Sequence, residues 1–93
     1  MNKKKLLLSR KKIDQLDSQI FNLLRKRTNV VKYMLTLKQY KHQIVDKKRI
    51  KEILINIRKK SRKQGIDPKI TISIWKKMIW TFVNFQRRNF KKK

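Results

Sequence analysis

Apolar residues recur along the first part of the chain at alternating steps of three and four, the spacing of a helix that buries one stripe. They are Ile13, Leu16, Ile20, Leu23, Val30, Met34 and Leu37. Arg27 occupies the seam position between Leu23 and Val30. A guanidinium keeps its charge at any useful pH, so Arg27 either snorkels to the surface or stays in the stripe as a buried cation that calls for an anion. Neither Gly nor Pro occurs before Gly65. The first helix can therefore run from about Leu8 to about Tyr40, which is roughly 50 Å of helix. A helix of that length cannot bury its own stripe.

The helical period lapses around His42 to Val45, and Asp46 is placed to cap a second helix with Ile50, Ile53, Leu54 and Ile57 on one face. Gly65 stops that helix. Asp67 and Pro68 then supply the N-cap and first position of a third helix, which reaches towards Phe90 with Trp75, Ile79, Phe82 and Phe90 at helical spacing. Gln86 stands four residues after Phe82 where an apolar residue is expected, a second polar intruder. Three helices of unequal length, the first far the longest, predict an all-α bundle built as an intertwined homodimer, its long helices packed against each other. Arg27 and Lys38 lie eleven residues apart, which on a continuous helix returns to within about 20° of one face. Arg10 lies about 25 Å up the axis from Arg27 and on another face, so only an antiparallel partner helix could deliver it to the same pocket.

Composition sharpens this picture. A chain of 93 residues makes one domain, here residues 1–93 with Met1 to Leu8 and Lys91 to Lys93 expected to fray as basic tails, and it buries little core without a partner's surface. With no cysteine there is no disulfide, thiolate metal site or cysteine nucleophile, which fits a reducing cytoplasm. A lone histidine, His42, argues against a metal site. Leu6, Leu7 and Leu8 after the basic start imitate a signal peptide, but charge resumes at Arg10 and no run is long enough to span a membrane.

The formal charge of +24 points first to nucleic acid. The absence of alanine and the crowding of Lys, Ile and Asn fit AT-rich coding equally well. The lysines are spread round all faces, with neither Gly-Arg repeats nor an aromatic platform, which argues against nucleic acid as partner. Against a lysine background the eight arginines stand out, because Arg offers a planar fork that Lys lacks.

The stretches Arg10-Lys-Lys-Ile13-Asp14-Gln-Leu16-Asp17, Leu23-Leu24-Arg25-Lys26-Arg27, Lys38, Val45-Asp46-Lys47-Lys48-Arg49 and Gly65-Ile66-Asp67-Pro68, closing on Gln86, resemble the all-helical (type II) chorismate mutases. The match runs in order and at the family's spacing from Ser9 to about Phe90. The resemblance implies the three-helix mutase fold, a homodimer, the dianion chorismate as substrate, no cofactor and a place in aromatic amino acid biosynthesis. It assigns Arg27, and Arg10 of the partner subunit, to the substrate carboxylates. Lys38 and Gln86 would bracket the ether oxygen of the breaking bond, with Asp46 and Arg49 at the ring-hydroxyl end.

This residue inventory suits a one-substrate pericyclic rearrangement. Such a reaction is accelerated by holding the substrate in a reactive chair and by stabilising charge that grows on the ether oxygen. Two positions depart from the family's pattern. Ile50 stands where a glutamate usually follows the arginine, and Phe82 where a small hydroxyl residue often precedes the closing glutamine. Both resemble the related isochorismate-pyruvate lyases, which leaves that activity as the alternative. A basic helical module that binds RNA or another protein is a third reading, from a different class.

Overall fold

The computed structural model describes residues 2–91. The chain forms α1 (Lys3–Leu37), a short 3₁₀ turn (Lys41–Ile44), α2 (Lys47–Gln64) and α3 (Pro68–Asn89), with no strand among the described residues. The fold is all-α, as the periodicity implies. None of its helices is long and apolar enough to cross a membrane among the described residues.

Each helix end has a local cause. Asn2 Oδ1 accepts the Lys5 N–H at 3.0 Å, a side-chain cap that starts α1 at Lys3. Residues 3–8, expected to fray, are therefore helical; Met1, Lys92 and Lys93, the rest of the expected tails, lie outside the described residues apart from Lys91, which follows α3 without regular structure. At its other end α1 stops at Leu37 rather than Tyr40, and the last turn tightens through Lys38 N–H to Leu35 O at 3.2 Å. Asp46 Oδ1 caps α2 through the Arg49 N–H at 3.0 Å. Gly65 ends it with φ +72°, and Ile66 N–H returns to Ser61 O at 2.9 Å, the closure of a Schellman turn. Asp67 caps α3 through Lys69 N–H at 2.9 Å, with Pro68 opening the helix where a missing N–H costs nothing.

The chain separates into two compact units, one reaching to Val31 and one starting at Lys32. The first is the bulk of α1. Its seam residues Ile13, Leu16, Ile20, Leu23 and Val30 are all exposed, whereas Arg27 and its neighbour Thr28 are half-buried.

The second unit holds the end of α1, the 3₁₀ turn, α2 and α3. Its buried apolar residues are Ile44 of the turn and Ile72, Ile79 and Val83 of α3. The buried line of α3 thus passes through Val83, while Phe82, expected on it, is half-buried beside it. Ile50, Ile53, Leu54 and Ile57 are half-buried on α2, the face expected for them. Two hydroxyls tie α2 to α3. Ser61, almost fully buried, donates to Ile57 O at 2.6 Å and meets Thr71 Oγ1 at 2.5 Å. That pairing satisfies polar groups that burial would otherwise penalise.

Candidate active site

Lys38 sits one residue beyond the end of α1, its N–H still held by the last helical turn through Leu35 O at 3.2 Å. Its Nζ donates to Gln86 Oε1 at 2.6 Å, joining residues 48 positions apart. A hydrogen bond from an ammonium to an amide oxygen is charge-assisted and stronger than a neutral pair. Burial pushes the Lys38 ammonium below its ordinary pKa, and the nearby Asp46 carboxylate opposes that shift.

Gln86 is the second intruder that the apolar pattern exposed, and it is buried at 8% exposure. Its Nε2 donates to the Phe82 carbonyl one turn earlier at 3.3 Å. The amide is therefore oriented, oxygen to Lys38 and nitrogen to the α3 backbone. One N–H of the Gln86 amide group and two of the Lys38 ammonium remain after these bonds. The pair thus keeps donors that these bonds leave over.

Asp46 does two jobs, capping α2 and supplying the negative charge that Lys38 senses. Arg49 follows in the first turn of α2, with its side chain largely in solvent and 3.7 Å from Glu52, an exposed ion pair that contributes little. Ile50 and Phe82 are both half-buried and bring carbon, not oxygen, to positions 50 and 82. Within the unit that starts at Lys32, then, the structure brings Lys38, Gln86 and the Phe82 backbone together, with Asp46 close enough to act on Lys38.

The two arginines expected to hold carboxylates both lie on α1, in the other unit. Arg10 is exposed. Arg27 is half-buried with its Nη1 withdrawn from solvent, and desolvation lowers its pKa from the ordinary value. The guanidinium is partly sequestered, between the two readings that its place in the seam allows.

One polar residue of this region escaped the sequence reading. Gln43 Oε1 accepts from both Gln39 N–H at 2.8 Å and Tyr40 N–H at 2.9 Å. Its signal was the spacing of Tyr40 and Gln43, in which the third residue of a turn reaches back to the backbone before it, half of a capping box.

The family model of type II chorismate mutases matches residues 9–87. No curated protein and no solved structure matches the chain. The match covers most of the chain, from just before Arg10 to just after Gln86, and the chain belongs to the type II chorismate mutase family.

Proposed function

We propose that this member of the type II chorismate mutase family rearranges chorismate to prephenate, without a cofactor, by conformational and electrostatic catalysis. The observation that carries the reading is the Lys38–Gln86 pair, a partly desolvated ammonium bonded at 2.6 Å to a buried, oriented amide. In the rearrangement a C–O bond breaks as a C–C bond forms within one molecule, so no nucleophile or proton acceptor is required. Negative charge grows on the ether oxygen as the C–O bond lengthens. Donors already fixed in a water-poor site favour that transition state over the ground state, because they need not reorganise as the charge develops. Lys38 and Gln86 would supply them.

The remaining roles follow from the sequence resemblance. Arg27, and Arg10 of a second copy, hold the two carboxylates through bidentate forks. Asp46 and Arg49 serve the ring-hydroxyl end, and the working form is a homodimer. The exposed apolar seam of α1 supports the dimer, since Leu23 at 62% and Val30 at 57% exposure are positions a partner helix would cover. A second reading, isochorismate-pyruvate lyase, is favoured by one specific feature: the apolar residues Ile50 and Phe82 in place of the usual hydrogen-bonding side chains.

The deciding experiment gives the purified protein chorismate and, separately, isochorismate, and identifies products by chromatography. Prephenate from chorismate is the expected result. Salicylate and pyruvate from isochorismate with little prephenate would replace the mutase by the lyase, and no turnover of either would overturn both. Lys38→Ala should lower kcat by at least about a hundredfold while helix content is kept, the usual loss when a charge-stabilising donor is removed. Arg10→Ala and Arg27→Ala should each fail alone and recover partial activity when mixed; absence of rescue would remove Arg10 from a shared site.

A further inference from the structure

A catalytic ammonium is useful only if the backbone beneath it is fixed, and Lys38 stands at an awkward place for that. It has left α1, and residues 38–40 join the helix to the 3₁₀ turn without repeating structure of their own. The two N–H groups that follow Lys38 both point to one atom, Gln43 Oε1, at 2.8 Å from Gln39 and 2.9 Å from Tyr40. Gln43 itself is anchored. Its own N–H bonds to Tyr40 O at 3.1 Å, and the next residue, Ile44, is 5% exposed within the core of the unit that holds α3. On the other side, Lys38 N–H is held by Leu35 O at 3.2 Å. The segment carrying Lys38 is thus clamped at both ends, by the last turn of α1 and by a single side-chain oxygen. Among the described residues that oxygen accepts no other hydrogen bond.

We propose that Gln43 is a positioning residue for the reaction, fixing the Lys38 backbone so that Nζ meets Gln86 and the substrate's ether oxygen without reorganising. The proposal rests on the mutase reading. Gln43 touches no reacting atom; it acts through Lys38. Because the ammonium matters most in the transition state, loss of the clamp lowers kcat and leaves substrate binding little changed. Both clamp bonds are at the surface and compete with water, so the effect is moderate, about three- to tenfold in kcat.

The test pairs Gln43→Met, which keeps the side chain's length and deletes the acceptor, with Gln43→Glu, which keeps an acceptor oxygen at the same reach. Steady-state kinetics with chorismate, far-UV circular dichroism and ¹⁵N amide spectra are recorded for wild type and both variants. The expected result is a three- to tenfold lower kcat in Gln43→Met with KM within about twofold of wild type. Helix content stays unchanged, the Gln39 and Tyr40 amides exchange faster, and Gln43→Glu recovers most of the lost kcat. A Gln43→Met enzyme with wild-type kcat, a loss confined to KM, or a loss that Gln43→Glu shares in full would overturn the positioning role while leaving the mutase reading intact. A wild-type protein that does not turn over chorismate would overturn that reading and the positioning role with it, and the amide spectra would still report whether the clamp exists.

Discussion

The Lys38 ammonium titrates under two opposed influences, burial that favours the neutral amine and Asp46 that favours the cation, and burial is the larger. Its pKa therefore lies below the ordinary lysine value. On the proposed mechanism only the protonated form stabilises charge on the ether oxygen, so activity should be complete on the acid side of that pKa and be lost as pH rises through it. The alkaline limb of kcat should fall earlier than for a free lysine. Asp46→Asn keeps a side chain that caps α2 well but deletes the charge, so it should move the alkaline limb to still lower pH. An unmoved limb would show that another group controls it. Gln86→Glu puts a carboxyl 2.6 Å from the same ammonium. The ion pair would hold that carboxyl in its charged form and place negative charge where the reaction develops more. Activity of the variant should be low near neutrality and rise as pH falls and the carboxyl takes a proton; a flat profile would argue that Gln86 does not face the breaking bond. The sequence reading singled out Lys38 by its register with Arg27 and the family's spacing, and Gln86 by a break in an apolar stripe. The Gln43 clamp was not legible, because a glutamine in a short polar loop reads as solvated until its acceptor is seen to gather two backbone donors.

The ends of α2 and α3 were legible, and those of α1 were not. Asp46, Gly65, Asp67 and Pro68 mark the boundaries of α2 and α3 because caps and left-handed turns restrict residue type strongly. The start of α1 was missed because Asn2 lies among lysines and leucines that give no period of their own, yet its side chain caps the helix. The face of α3 was read correctly at Ile79 and Gln86, both buried, but Val83 was missed. Phe82 looks like core by size, but Ile72, Ile79, Val83 and Gln86 share the buried line, and the smaller Val83 is the residue that meets it. At Gly65 the element makes a sharp demand. With φ +72° and no atom within 4 Å of where a Cβ would stand, a substitution meets open space and the whole cost is conformational. Gly65→Ala should destabilise the fold by about 1 kcal/mol and Gly65→Asn by less, since Asn tolerates the left-handed region. Denaturant titration compares them; equal stability of both variants would mean that the Schellman closure at Ile66 is not holding the α2–α3 corner.

At the scale of the molecule the dominant quantity is the charge of +24, carried by 29 basic and 5 acidic residues. The same charge acts in two directions. Self-repulsion opposes a compact state, and it would oppose still more the proposed pairing of two copies through the seam of α1. A positive potential would also draw in the proposed dianionic substrate and raise its encounter rate. Added salt separates the two effects, since the screening length falls from about 30 Å at 0.01 M to about 3 Å at 1 M. Repulsion between exposed charges weakens over that range, so the thermal midpoint should rise with sodium chloride. Capture of chorismate weakens over the same range, so kcat/KM should fall. On the proposed mechanism the chemical step lies beside a partly desolvated ammonium that salt screens poorly, so kcat should hold nearly constant. Stability and capture moving in opposite directions, with kcat flat, is the signature of surface charge that steers substrate. A kcat/KM indifferent to salt would leave the charge without a part in catalysis, and composition alone would then account for it.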